Sequence, residues 1–210
     1  LSGLLHGYIS VYSIVRVSPW LEDVYGSQWD IHERIREIAG ELADLIQDPS
    51  VTLEDRVGHI ADLMEAYLTY SDMDFLDIAL DAAYGIISPE GRDEIVLPCR
   101  TPEMCRLLCS YYYFTGEERC AELAGEIIKE RGTEIFNKSV EEPLENRWNW
   151  YRAEEFYENI IGEEKHEKVK NMLMLEEEFW KQFGKDIDSK DLTVSTLCFD
   201  NLALKEYSLI

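Results

Sequence analysis

Apolar residues recur at helical spacing along most of the chain. Ile31, Ile35, Ile38, Leu42 and Leu45 trace one stripe, and Val57, Ile60, Ala61, Met64, Tyr67 and Leu68 trace the next. Phe75, Ile78, Ala79 and Ala82 follow, then Leu107, Leu108, Tyr111, Tyr112 and Phe114, then Cys120, Leu123, Ala124, Ile127 and Ile128. Phe156, Tyr157 and Ile160 begin a further stripe, and Val169, Met172 and Leu173 another. Spacings of i, i+3, i+4 and i+7 predict amphipathic helices, each burying one face. Three short phrases separate paired stripes: Tyr70-Ser71-Asp72-Met73-Asp74, Thr115-Gly116-Glu117-Glu118-Arg119 and Ile161-Gly162-Glu163-Glu164-Lys165. Their separation of roughly 45 residues reads as stacked helical hairpins, nearer to HEAT-like spacing than to the shorter tetratricopeptide period. The expected fold is all-α, an open array of antiparallel helical hairpins resembling an α/α superhelix.

Start and stop signals set the expected boundaries. Ser27 with Asp30, and Thr52 with Asp55, have capping-box spacing, and Ser71 with Asp74 and Thr115 with Glu118 repeat it. Thr101 stands before Pro102, which suits a first helical position. Asp48-Pro49 ends the first long helix, Pro143 opens a later one, and Gly132 and Gly184 suit helix C-termini. The chain is expected to be one domain over 1–210, with an N-terminal cap over 1–26 and hairpins over 27–87. A long loop follows over 88–101, then hairpins over 102–184 and a cap or tail over 185–210. Two segments carry mixed signals. Leu5, Ile9, Tyr12 and Arg16 align as on a helix, yet Val11, Ser13, Val15 and Val17 alternate as in a strand. Leu192 to Phe199 has the same ambiguity. Helix is expected for both, because an array needs end caps and offers no sheet to join.

Charge narrows the partners. The chain has 43 acidic and 20 basic residues, for a net charge of −23. Such a surface repels phosphate backbones and anionic membranes and favours a cationic protein segment. Seven Phe, five Trp and twelve Tyr, with 46% hydrophobic residues, fit a chain that folds around a core. No apolar run is long enough to span a bilayer. Leu4 to Val17 carries His6 and Arg16 with no basic stretch before it, so it does not read as a signal peptide. The five cysteines (99, 105, 109, 120 and 198) are odd in number and suggest a reducing, cytoplasmic setting.

The candidate chemistry is sparse. Cys99, Cys105, Cys109 and Cys120 lie close together but lack a C-x-x-C knuckle, so core packing is expected rather than zinc, and no metal or cofactor is expected. Glutamates of the turn phrases fall in first helical turns, where they complement the dipole. The four histidines (6, 32, 59 and 166) have no ligand-like spacing, and no zincin, nucleophile-elbow, Walker or Rossmann phrase occurs. Tyr12, Arg16, Trp20, Tyr25, Trp29 and His32 form an aromatic-rich group expected to cover the first hairpin. The densest unusual segment is 141–152. If helical, it places Trp148, Tyr151, Arg152 and Glu155 on one face, with Glu145, Asn149 and Arg152 on an overlapping strip. Aromatic rings flanked by Arg and carboxylates suit peptides, cationic side chains or sugar rings.

These features favour an interaction or scaffold module that binds a protein or peptide, through Glu145, Arg147, Trp148, Tyr151, Arg152 and Glu155. An assembly subunit is a variant of the same idea. The aromatic run followed by Thr-Gly-Glu-Glu and helically spaced Ala is also similar to helix pairs of α/α-toroid glycosidases and cyclases. That resemblance implies a carbohydrate-active enzyme, with an acid and base among carboxylates such as Glu142, Glu145 or Glu155. At this period, however, 210 residues supply too few hairpins to close a toroid. Catalysis is therefore the less favoured expectation.

Overall fold

Three helix starts, at Ser27, Thr52 and Thr101, are held by the side chains that the sequence singles out. A computed structural model describes residues 1–87, 95, 97–132 and 144–161. Among these residues the chain is mostly helical and contains no strand. Helix α1 spans Ser2–Val17, followed by a 3-10 turn Pro19–Leu21 and a short α2, Glu22–Tyr25. Helices α3 (Gln28–Gln47), α4 (Leu53–Tyr70) and α5 (Met73–Ile87) come next. After the segment around 95–101 come α6 (Pro102–Thr115), α7 (Glu118–Ile127), a π-helical turn Ile128–Gly132, and α8 (Leu144–Ile160).

Ser27 Oγ accepts from the Asp30 amide at 3.1 Å and donates to the Asp30 carboxylate at 2.6 Å. Thr52 and Asp55 repeat this pairing at 3.1 and 2.7 Å. Thr101 Oγ1 accepts from the Met104 amide at 3.2 Å, with Pro102 in the first helical position. Each bond satisfies a donor that the helix itself leaves open. Two starts differ from expectation. Ser71 ends α4 with φ 60, and Asp72 Oδ1 instead accepts from the Asp74 amide at 3.1 Å. Thr115 is the last residue of α6 and donates back to the Tyr111 carbonyl at 2.6 Å. Both follow from tight reversals. One residue must turn left-handed, and where Gly116 does so at φ 74 without strain, Ser71 does the same job at the earlier turn.

The N-terminal segment is helical, as expected. Packing overrides the alternating pattern: Leu5, Val11 and Val15 are buried with Ile31, Ile35, Ile38 and Leu42 of α3 and Ala66 of α4. The segment 192–199 and the last expected helix lie outside the described residues, as do residues 88–94 of the expected long loop.

A larger core gathers Val57, Ile60, Leu63 and Met64 of α4 with Ala79, Ala83 and Ile87 of α5. Met104, Leu107 and Leu108 of α6, Leu123 and Ile127 of α7, Trp150 and Ala153 of α8, and Ala39, Ala43 and Ile46 of α3 also belong to it. In contact order, α1 packs on α3 and α4, α3 on α4 and α5, α4 on α5 and α6, and α6 on α7 and α8. Helix α6 is the most enclosed over its first half, where Met104 to Ser110 are all buried, whereas Tyr113 near its end is exposed. Among the described residues no helix is long and apolar enough to cross a membrane.

Candidate functional site: a buried charged cluster across four helices

Four helices each send polar side chains to one buried point. On α4, Asp62 and Glu65 are one turn apart within the run Ile60-Ala61-Asp62-Leu63-Met64-Glu65-Ala66. On α6, Arg106 stands in Met104-Cys105-Arg106-Leu107-Leu108-Cys109. His6 comes from α1 and Arg152 from α8. Asp62, Arg106 and Arg152 are buried, and His6 and Glu65 nearly so.

Arg106 Nη2 donates to both Asp62 Oδ1 and Glu65 Oε2, so one guanidinium ties the two carboxylates of α4 together. Arg152 Nη2 lies 3.6 Å from Asp62 Oδ1 and 3.5 Å from Glu65 Oε2. His6 Nδ1 lies 3.1 Å from the other oxygen of Glu65, Oε1. Two guanidiniums face two carboxylates, so the cluster is neutral when His6 carries no charge.

Burial works against charge on every member, and the pairing decides which remain ionised. For Glu65, burial favours the protonated form, but Arg106, Arg152 and the bond from His6 outweigh it and hold the carboxyl well below its usual range. For Arg106, burial is outweighed by Asp62 and Glu65, which raise its pKa. His6 goes the other way: burial, then Arg152, lower its pKa, and the hydrogen bond to Glu65 offsets this only in part. An ionised Glu65 can only accept, so the neutral imidazole carries its proton on Nδ1. Its Nε2 is then a buried acceptor, without a hydrogen-bond partner among the described residues.

Chemically, this arrangement is a clamp. A carboxylate kept ionised by two guanidiniums has no proton to give at neutral pH, which disfavours Glu65 as a general acid. Both of its oxygens are already engaged. The cluster links α1, α4, α6 and α8 across the fold, and each partner compensates a charge that would otherwise be buried alone.

Of the residues expected to form a binding surface, Arg152 is turned inward and belongs to this cluster. The side chains of Glu145, Arg147, Trp148, Tyr151 and Glu155 lie outside the described residues, although α8 itself runs through them. Glu142 also lies outside them. Cys105, Cys109 and Cys120 are buried between α6 and α7, in line with core packing. Burial, then Glu117 and Cys109, push the Cys120 thiol up to about 12, which leaves it protonated and unreactive. Among the described residues no group of His, Cys, Asp and Glu is placed to hold a metal.

The aromatic group at the N-terminal end divides in two. His32 rests between Tyr12, with ring centroids 5.9 Å apart, and Trp29, stacked at 6.2 Å. Yet Trp29 is 69% exposed and Trp20 72% exposed, and Val17 and Val24 are similarly open. These residues therefore do not close over the first hairpin as expected. The 3-10 turn and α2 carry Trp20 and Val24 outward, and Glu22 of α2 accepts from the Gln28 amide at 3.1 Å to seat the start of α3.

Sequence reasoning passed over His6, Asp62, Glu65 and Arg106. The signal for Arg106 was present, because a lone Arg inside an apolar run has no solvent face to occupy. His6 had no such signal, as its partner is 59 residues away. No protein-family model, no curated protein and no solved structure matches this chain.

Proposed function

We propose that this chain is a helical-array interaction module that holds a cationic protein or peptide segment. The observation that carries this reading is the exposed apolar surface of Val17, Trp20, Val24 and Trp29, where α1 ends and α3 begins. Two open tryptophans so close in the chain incur a hydration cost that a partner would remove, and Trp is among the strongest interface anchors. Asp23 and Asp30 are exposed within the same stretch and Glu33 is partly so, on a chain of net charge −23. Basic residues flanking an apolar face would therefore find complementary charge at the rim.

The array reading is supported by the order of contacts. Consecutive helices α3 and α4, α4 and α5, and α6 and α7 pack on one another, as hairpin partners would. Hairpins stacked in that manner leave helix faces free along their length. The strongest cluster of reactive groups, at Arg106, is closed on itself and neutral, which favours binding over catalysis. With Arg152 committed to that cluster, the reading draws on the surface at 17–29 and not on Arg152.

The test is a fluorescence-anisotropy titration with a labelled amphipathic peptide whose polar face is lysine, against the same peptide with glutamate. The lysine peptide binds the wild type more tightly, more weakly as salt is raised, and at least about 30-fold more weakly to Trp20→Ala/Trp29→Ala, the loss expected of an anchor pair. Equal binding to the folded double variant would place the contact elsewhere, and equal binding of both peptides would refute a cationic partner.

A further inference from the structure

His6 occupies the seam between α1 and α4, and its surroundings are unusual for a titratable group. Glu65 of α4 faces its Nδ1, and the guanidiniums of Arg106 from α6 and Arg152 from α8 lie beyond that carboxylate. Asp62 of α4 binds both arginines. Among the described groups, Arg152, Glu65 and Arg106 act on the imidazole, and Arg34 of α3 reaches α1 at Tyr8. Helix α3 meets α1 through Ile31, Ile35, Ile38 and Leu42, its His32 packs on Tyr12, and its Arg34 pairs with Glu37. Glu22 of α2 bonds to the Gln28 amide, and Arg16 of α1 is exposed.

A second feature separates α1 from the rest of the fold. The apolar side chains of α1 belong to the smaller cluster, shared with α3 and, on α4, with Ala66. The larger core, which joins Ala39, Ala43 and Ile46 of α3 to residues of α4 to α8, contains no described residue of α1. Helices α1 and α4 also pack directly on each other, and the His6–Glu65 bond joins them at that contact.

We propose that His6 is an acid-sensitive latch, whose protonation loosens α1 from α4 while the core of α4 to α8 stays closed. The added proton must sit on Nε2, because Nδ1 already carries one. It creates a buried donor without an acceptor among the described residues, and it turns a neutral cluster into one of net charge +1 with two guanidiniums nearby. The attraction between His6 and Glu65 grows, but it must offset both costs.

The direction of the pH dependence follows from the lowered pKa of His6. Where α1 is released, the imidazole regains a pKa of about 6.5 and takes up a proton first. The latch therefore holds fully above that value and weakens as pH falls below it, until the closed form is protonated as well. Within that window each pH unit raises the open-to-closed ratio by up to about tenfold. His59 of α4 also has its pKa lowered by burial and a buried Nδ1 without a partner, so it is the necessary control.

The experiment is native-state amide exchange at pH 7.5 and 5.5, corrected for intrinsic rates, on the wild type, His6→Gln and His59→Gln. Protection of α1 amides falls several-fold to about tenfold at pH 5.5 in the wild type and in His59→Gln, but not in His6→Gln, while α6 amides keep theirs. Loss of protection in α1 and α6 together, or an unchanged α1, overturns the latch. Should His6→Gln fail to fold, an NMR titration of His6 in the wild type decides the matter, since a pKa at or above 6.5 contradicts the proposal. Any effect on the exposed surface that follows α1 rests on the binding reading, whereas the exchange result does not.

Discussion

Replacing Arg106 by Met tests the central cluster directly. The substitution keeps most of the side-chain volume and removes the charge, so that of the two guanidiniums in the cluster only that of Arg152 still faces the carboxylates, at 3.5 and 3.6 Å. Breaking one partner out of a buried ionic group costs about 3–5 kcal/mol, because the opposite charge is left uncompensated. Arg152 and His6 still serve Glu65, so the low end applies, about 3 kcal/mol. For a chain of 210 residues that corresponds to a Tm lower by roughly 6–12 °C. Urea unfolding at pH 7 is the assay, with an unchanged m-value confirming that the native fold is retained. A second substitution sharpens the result. Adding Asp62→Leu to Arg106→Met restores neutrality, with Glu65 facing Arg152, and should return stability to within about 1 kcal/mol of the wild type. A single variant within about 0.5 kcal/mol of the wild type, or a double variant less stable than the single, would refute the neutral-clamp account.

The acid limb and the glycines give two further expectations. Because Glu65 is held well below its unfolded range, its contribution is complete above about pH 4.5 and is lost as pH falls beneath that. Stability of the wild type should fall there by up to about 1.4 kcal/mol per pH unit from this group, and Glu65→Gln should flatten that limb in pH-dependent urea titrations. Gly85 lies inside α5 with open space where a Cβ would stand, so Gly85→Ala should stabilise by about 0.5–1 kcal/mol. Gly116→Ala should instead destabilise by about 1 kcal/mol, because φ there is +74. Thermal denaturation separates these cases, and equal shifts of the two variants would contradict the turn geometry.

Local patterns foretold the helices because helix formation is settled within a few turns. The stripes of α3 to α8 and the caps at Ser27, Thr52 and Thr101 were legible for that reason. Tight reversals were less so. The choice of left-handed residue at Ser71 and Gly116 shifts the following cap by one or two positions, and spacing alone does not reveal it. The site was the least legible part. An Arg at 152 beside aromatic residues has the pattern of an exposed anchor, yet α8 docks so that this side chain reaches α4.

What the sequence determined by itself was the helical character of the described residues, most of their helix boundaries, the burial of the thiols of Cys105, Cys109 and Cys120, and a strongly negative net charge. Each depends on neighbours a few positions apart or on a sum over the chain. Which helix lies on which was decided by tertiary packing, and with it the meeting of His6, Asp62, Glu65, Arg106 and Arg152 and the exposure of Trp20 and Trp29. The physical reason is that charge compensation and burial depend on distance in space, and these partners stand 41 to 87 residues apart in the chain.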